Sequence, residues 1–176
     1  MTHFQSLNPV TDEVIAEHEI YTKAAVDDAV KVAQGATDRW QALGFRGRKR
    51  VLDKWNRVIK RRAEDFAELI AKETGKPIGD ARLEVSVAIS HLSWASGNAG
   101  YYLKEQHRKP GILMFNMSSK VQRVPLGVVG VIGPWNYPMF TPMGSIAYAL
   151  AAGNTVVFKP SEFTPGVGVL LSETFA

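Results

Sequence analysis

Two clusters of polar side chains follow short apolar runs in the last third of the sequence. "GPWN" follows the run Val128–Ile132 and offers an indole and a carboxamide. "KPSE" ends the run Thr155–Lys159 and offers a lysine and, three residues later, a glutamate. Lysine and glutamate side chains both form hydrogen bonds with ribose hydroxyl groups, and the backbone of the first turn can bond the same region of a ligand. Together the two clusters suit a nucleotide.

Each of these residues also has a purely structural interpretation. Trp135 would pack against its own turn, and Asn136 would cap the helix that follows, because Asn is a preferred N-cap residue. Lys159 would be an ordinary charge at the end of a strand, and Glu162 would face the positive end of the next helix dipole. The spacing of the residues leaves both interpretations open.

The apolar runs predict a strand–helix–strand–helix unit. Val128–Ile132 is short and rich in β-branched residues, which is typical of a strand buried on both faces. We expect a helix over 138–152 that ends at Gly153, and a second buried strand over 155–159. Another helix is expected to start near Pro165, because proline is favoured in a first turn.

This order of elements predicts parallel strands joined by a right-handed crossover. Ligands of open parallel sheets bind outside the carboxyl ends of the strands. Both polar clusters should therefore face one crevice. Neither GxGxxG nor GxxxxGK[ST] occurs in the sequence, so neither standard phosphate-binding loop is expected.

The first 110 residues are expected to be mainly helical and to form one unit. They begin with extended chain, including a short edge strand over 14–20. Helical spacing starts near Lys23, and a basic helix follows from about Lys49. A further helical piece stops at Gly75, which can take the left-handed cap conformation. A long helix then carries an apolar stripe over 81–102.

Residues 111–125 are predicted to form a protruding β-hairpin arm. Its turn is expected over 116–119. Met114, Phe115 and Met117 would give such an arm an exposed apolar surface. We therefore expect it to pack on another subunit, or on chain that lies outside this sequence.

The composition excludes several classes of function. The sequence has no Cys, which excludes a disulfide framework, a thiolate metal site and a cysteine nucleophile within it. No apolar run approaches the roughly 20 residues needed to span a bilayer, so no membrane partner is expected. The first eleven residues lack a secretory signal pattern, which predicts a cytoplasmic protein.

The net charge of +4 is concentrated in one predicted helix. A nucleic-acid patch is one interpretation of this stretch. Leu52, Trp55 and Ile59 recur at helical spacing, however, and most basic residues fall on the opposite face. We therefore favour a solvated helix face over a nucleic-acid partner. The basic residues are Arg46, Arg48, Lys49, Arg50, Lys54, Arg57, Lys60, Arg61 and Arg62.

Three motifs give the chain a family resemblance. "PLGVVGVIGPWNYP" and "ALAAGNTVVFKPSEFTP", with "ETGKP" upstream, resemble the N-terminal part of the NAD(P)-dependent aldehyde dehydrogenase superfamily. The resemblance covers nearly the whole chain. It implies a truncated α/β fold, with an N-terminal helical segment and a hairpin arm that serves oligomerisation. Residues 126–176 would then be the start of a Rossmann-like, NAD-binding parallel sheet.

The resemblance also implies roles for the site residues. Asn136 matches the family's oxyanion-hole asparagine, which faces the thiohemiacetal that a catalytic cysteine forms with the aldehyde. Lys159 and Glu162 match the pair that holds the adenosine ribose, and the glutamate favours NAD, with NADP possible. The remaining matches are Gly133, Pro134, Trp135 and Ser161 against the cofactor, and Tyr137 and Phe140 along the substrate path.

Two departures from the family pattern bear on function. Gly144-Ser145 stands where many relatives carry Trp-Lys. The catalytic cysteine and the general-base glutamate are absent, so we expect the isolated chain to be inactive. The final "LLSETFA" resembles a helix cut in mid-course, with Leu170, Leu171 and Phe175 lacking a partner.

Three functional hypotheses follow, in this order. The first is the N-terminal part of an enzyme that oxidises an aldehyde and is a homo-oligomer in its full-length form. The second is a non-catalytic binding or oligomerisation module that associates with a full-length relative. The third is a nucleic-acid binder that uses the basic helix.

Overall fold

The computed structural model describes residues 2–175. They form a helical layer and three two-stranded sheets. The helices are α1 (Lys23–Ala42), α2 (Gly44–Arg61), α3 (Ala63–Thr74), α4 (Ile78–Tyr102), α5 (Phe140–Ala152) and α6 (Pro165–Phe175). The strands are β1 (His3–Leu7), β2 (Val14–Glu19), β3 (Gln106–Arg108), β4 (Ser119–Val121), β5 (Val128–Ile132) and β6 (Thr155–Lys159).

The hydrophobic core lies where α4 packs against α2, α3 and α5. Leu52 and Ile59 of α2 are fully buried, as are Phe66 and Ile70 of α3 and Leu92 of α4. The spacing of seven residues in α2 and of four residues in α3 places each pair on one face of its helix. Burial of each such side chain contributes about 1.5–3 kcal/mol to the stability of the folded state. The helical layer is therefore a stable support for the sheet elements.

β5 and β6 form a parallel pair joined by α5. Their register runs from Val128 opposite Thr155 to Ile132 opposite Lys159, so both strands end at the same level. α6 follows β6 directly. The predicted α/β fold, with a helical segment and the first βαβα part of a parallel sheet, is confirmed.

The prediction that β5 is buried on both faces is wrong for this chain. Val131 is 6% exposed, whereas Ile132 is 79% exposed. Val128, on the same face as Ile132, is half-buried, so that face is covered only in part. The β-branched composition therefore predicts an apolar strand, but it does not predict how fully each face of the strand is buried.

The hairpin arm exists, but its strands differ from the predicted ones. β3 pairs antiparallel with β4, with Gln106 opposite Val121. Ser119, expected in the turn, lies in β4. The boundary expected between residues 110 and 111 lies within the segment that connects β3 to β4. Pro110 and Gly111 lie between β3 and β4, whereas the prediction placed both strands after them. The predicted exposure of the arm is confirmed, since Phe115 is 85% exposed.

The prediction that the last helix lacks apolar partners is wrong. Leu170 and Leu171 of α6 are 8% and 3% exposed and belong to the core. Phe175 packs edge-on against Trp55, with 4.9 Å between the ring centroids. Met1 and Ala176, which the predicted ranges include, lie outside the described residues.

One residue of the basic helix has a structural role. Arg48 is only 5% exposed, and its Nε donates to the carbonyl oxygen of Ala151 at 3.2 Å. Its Nη1 donates to the carbonyl oxygen of Gln41 at 3.3 Å. Arg48 is therefore an exception to the predicted solvated face, because its guanidinium group joins α1, α2 and α5.

None of the described helices has the length and hydropathy that a membrane crossing requires. Within the same residues, no group of three or more His, Cys, Asp or Glu side chains is placed to hold a metal ion.

Candidate functional site

The loops that follow β5 and β6 lie side by side. The N–H of Gly133 donates to the carbonyl oxygen of Lys159 at 2.9 Å, which ties one loop to the other. A Cβ atom at Gly133 would lie 3.0 Å from the ring of Phe158. A larger residue at position 133 would therefore displace either the ring or the loop.

An open groove of about 1590 Å³ passes the ends of the two strands. Four of the predicted site residues line it, of which Trp135 alone comes from the first polar cluster. The other five do not line it. Those lining the groove are Trp135, Lys159, Ser161 and Glu162, and those outside it are Gly133, Pro134, Asn136, Tyr137 and Phe140.

Lys159 and Glu162 form an ion pair at the rim of this groove. Nζ of Lys159 donates to Oε2 of Glu162 at 3.2 Å, and both side chains are more than half exposed. The backbone N–H of Glu162 itself and the Lys159 ammonium group lower the pKa of the Glu162 carboxyl below its ordinary value. The pair therefore presents an ionised acceptor and a donor within reach of the same ligand group.

Ser161 lies between the members of this pair but is only 6% exposed. Its Oγ accepts a hydrogen bond from the N–H of Phe163 at 3.3 Å. The hydroxyl group thus closes the turn that leads into α6.

The Trp-Asn turn presents its side chains outward. Trp135 is 56% exposed, so more than half of its surface is open to solvent. Asn136 is exposed too, and its carboxamide makes no hydrogen bond with the described residues. The N-cap of α5 is Met139, and no side chain from that position caps the helix. Capping by Asn136, the structural alternative, is therefore wrong.

A buried ion pair lies behind this turn. Nζ of Lys76 donates to Oε2 of Glu84 at 2.7 Å, and the two side chains are 15% and 0% exposed. Lys76 also donates to the carbonyl oxygen of Asn136 at 2.7 Å. Oε1 of Glu84 accepts from the N–H groups of Met139 and Phe140 at 2.9 and 3.2 Å. The pair therefore holds the main chain at both ends of residues 136–139.

Sequence reasoning missed this ion pair, although a signal for it was present. Glu84 falls on the buried stripe of α4, between Ala81 and Val85. A carboxylate among buried apolar residues needs a cation or several donors, because an unpaired buried charge is costly. Lys76 is part of the "ETGKP" motif, and its partner lies eight residues later, outside that motif.

Tyr137 and Phe140 lie on another side of the turn from the groove residues. Their ring centroids are 6.1 Å apart, and the ring of His91 on α4 lies 5.2 Å from that of Phe140. Nζ of Lys76 is 4.4 Å from the centroid of Tyr137. An aromatic cluster thus follows Asn136 directly along the chain.

A second buried carboxylate supports the other loop. Glu73 at the end of α3 is 3% exposed. Its Oε1 accepts from the N–H of Gly166 at 2.9 Å, and its Oε2 accepts from that of Val167 at 3.0 Å. Burial raises the pKa of the Glu73 carboxyl above its ordinary value, and the two N–H groups oppose that shift. Glu73 caps α6 just as Glu84 caps α5.

The profile of the aldehyde dehydrogenase family matches residues 1–176, which is the whole chain. The chain belongs to the aldehyde dehydrogenase family. The N-succinylglutamate 5-semialdehyde dehydrogenase of Ectopseudomonas mendocina is 38% identical over 166 residues, which cover 94% of this chain and 33% of that relative. The chain thus spans about a third of the length of the relatives that it matches.

Solved structures give the same result. An aldehyde dehydrogenase from Brucella melitensis biovar abortus is 29% identical, with a TM-score of 0.94 over 99% of this chain and 35% of its own. PnpE from Pseudomonas sp. WBC-3, solved in complex with nicotinamide adenine dinucleotide, is 33% identical, with a TM-score of 0.91 over 98% of this chain and 35% of its own. Nearly the whole of this chain therefore has the fold of the N-terminal part of the family.

Proposed function

We propose that this chain is the N-terminal third of an NAD(P)-dependent enzyme that oxidises an aldehyde to a carboxylic acid. One observation carries the proposal: the Asn136 turn and the Lys159–Glu162 loop leave neighbouring strands at the same level and contact each other. A donor for a reacting carbonyl group and contacts for a nucleotide are thereby brought together. Family membership and the relative solved with the dinucleotide support this function.

The residues of the groove fit a dinucleotide cofactor. The ionised Glu162 carboxylate can accept hydrogen bonds from two ribose hydroxyl groups, and the Lys159 ammonium group can donate to a ribose oxygen. Trp135 offers an exposed ring beside them. NAD, when bound, supplies the acceptor for the hydride that leaves the substrate. We propose NAD as the preferred cofactor, since the Glu162 charge would repel a 2′-phosphate group.

Asn136 is proposed to act on the substrate oxygen. Its carboxamide NH2 is free of internal hydrogen bonds and exposed, so it can donate to an oxygen that gains negative charge when a nucleophile attacks the carbonyl carbon. Tyr137 and Phe140 would line the approach of the aldehyde beside it. The nucleophile must come from another polypeptide segment, because the sequence contains no Cys.

The proposal is tested by supplying the missing part from a relative. In the chimera, residues 1–176 replace the matching third of the Ectopseudomonas mendocina enzyme. We expect the chimera to form NADH from N-succinylglutamate 5-semialdehyde and the isolated chain to form none. A chimera that matches the relative in circular dichroism and assembly but forms no NADH would refute the proposal.

Changing Glu162 to glutamine is expected to shift cofactor preference toward NADP. The substitution removes the negative charge that would repel a 2′-phosphate group but keeps a hydrogen-bonding side chain. We expect the ratio of kcat/KM for NADP to that for NAD to rise roughly tenfold in the chimera. Glu68→Gln, at an exposed position on α3, is the matched control. An unchanged ratio would show that Glu162 does not face the ribose.

The hairpin arm favours a second function, association with other subunits. Ile112, Leu113 and Phe115 are each at least 85% exposed on the connection between β3 and β4. Such a cluster is apolar surface without a partner in this chain. We propose that it packs on another subunit, in a homo-oligomer or against a full-length relative.

Changing Phe115 to aspartate is expected to weaken this association. A charge in the centre of an apolar interface must be desolvated without a partner, which disfavours the assembled form. Size-exclusion chromatography of the chimera should show a larger share of monomer for Phe115→Asp than for Phe163→Asp, an exposed site outside the arm. Identical elution of the two variants would remove the arm from the interface.

A further inference from the structure

The ion pair of Lys76 and Glu84 is fully satisfied by its surroundings. The ammonium group of Lys76 contacts the Glu84 carboxylate, the Asn136 carbonyl oxygen and the face of the Tyr137 ring. The carboxylate of Glu84 receives the lysine and two backbone N–H groups of the start of α5. Every polar atom of the pair therefore points at the turn 136–139 or at its partner.

Stability alone is a weak explanation for such a pair. Taking two charges out of water costs several kcal/mol per ion, and apolar residues of similar volume often replace a buried pair without loss. A buried pair does impose a specific geometry, because its partners must meet at hydrogen-bond distance. Its benefit is therefore to be sought in what it holds in place.

What the pair holds is the main chain that carries the Asn136 side chain. Lys76 is the one side chain among residues 2–175 that bonds the Asn136 carbonyl oxygen. The other hydrogen bonds of the turn lie beyond this peptide: the Tyr137 carbonyl oxygen accepts from the N–H of Thr141 at 3.3 Å, and the N–H of Met139 donates to Glu84 at 2.9 Å. Without Lys76, the Asn136 carbonyl oxygen would lose the side-chain hydrogen bond that holds it.

We propose that Lys76 is a positioning residue for Asn136. Its ammonium group, itself held by Glu84, fixes the peptide after Asn136 and so the direction in which the carboxamide projects. This inference rests on the proposed function of Asn136 as a donor to the substrate oxygen. A donor must be held to within about 0.5 Å of the productive geometry, which requires a supporting residue of this kind.

The test measures the order of the turn in the 176-residue chain, without substrate. Backbone ¹⁵N relaxation gives order parameters for the N–H groups of Asn136, Tyr137 and Met139. We expect rigid values near about 0.85 in the wild type and, in Lys76→Met, values below roughly 0.6 at Asn136 and Tyr137. Core positions such as Leu92 should not change. Lys72→Met, an exposed lysine on α3, is the matched control.

Lys76→Met leaves the Glu84 charge buried and unpaired, which can unfold the chain. The double variant Lys76→Met with Glu84→Gln avoids this charge. Its glutamine oxygen still accepts from the N–H of Met139, so Met139 should stay rigid while Asn136 and Tyr137 become mobile. This split separates the positioning role from a general loss of structure.

Three results would overturn the inference: a mobile turn in the wild type, an unchanged turn in the double variant, and loosening that spreads equally through the core. None of these depends on catalysis. Failure of the positioning role is therefore distinguishable from failure of the proposed function, which the chimera tests separately.

Discussion

Replacing Glu73 with alanine is expected to lower the free energy of unfolding by about 2–4 kcal/mol. The substitution leaves the N–H groups of Gly166 and Val167 without an acceptor at the start of α6, and an unsatisfied buried donor costs about 1–3 kcal/mol. It also opens a small cavity next to the core. Urea unfolding of the chain, followed by circular dichroism, measures the difference.

The matched control is Glu68→Ala on the same helix. Glu68 is exposed, so its substitution should change the free energy of unfolding little. Equal losses for the two variants would show that the Glu73 carboxylate does not cap α6.

The cost of losing Glu73 should also depend on pH. Burial raises the pKa of its carboxyl in the native state above the ordinary 4.5, so the native state binds more protons than the unfolded state between the two pKa values. The contribution of Glu73 to stability is therefore fully present below pH 4.5 and falls as the pH rises through the native pKa. The difference between wild type and Glu73→Ala should shrink over that window. A difference that grows with pH would contradict the raised pKa.

Replacing Asn136 with alanine in the chimera is expected to reduce kcat by about 10²–10³-fold. Removing one donor to a developing oxyanion typically has this effect, because the lost hydrogen bond is strongest in the transition state. KM for the aldehyde should change far less, since the ground-state carbonyl oxygen carries less charge. Steady-state kinetics with saturating NAD measures both constants.

Asn98→Ala is the matched control for this substitution. The Asn98 carboxamide bonds only the exposed carbonyl oxygen of Trp94 on its own helix. Asn98 is half-buried on α4 and is not among the candidate site residues, so its loss should leave kcat within about twofold. A fall in kcat at Asn98 as large as that at Asn136 would attribute the effect to general damage.

The local elements could be predicted because their signals lie within a few residues of one another. The strand Thr155–Lys159 was predicted with the bounds observed for β6, and the left-handed cap at Gly75 has φ of 71°. Pro165 does start α6. In each case a short apolar run or a single backbone preference decides the outcome.

The contacts that hold the site could not be predicted in the same way. Glu84 caps α5 from 55 residues away, and Glu73 caps α6 from 93 residues away. Local sequence rules look for a cap within one turn of the helix, and both helices lack one there. Only the packing of α3 and α4 against the sheet elements brings these carboxylates to the helix starts.

The error at the final helix has a physical cause that a comparison with the arm makes clear. Exposure depends on which elements pack together, and apolar sequence alone does not show this. Leu170 and Leu171 find partners in the core, whereas Phe115 does not among the described residues. An apolar residue in the sequence therefore does not show whether its packing partner lies in the same chain.

We propose above all that this chain supplies one half of an aldehyde-oxidising site, with the carbonyl donor and cofactor contacts but no nucleophile. The most direct test is aldehyde-dependent NADH formation, measured side by side for the isolated chain, the chimera and the chimera with Asn136→Ala. We predict activity in the chimera, a loss of at least a hundredfold in the variant, and none in the isolated chain. NADH formation by the isolated chain, or full activity without the Asn136 carboxamide, would contradict the claim.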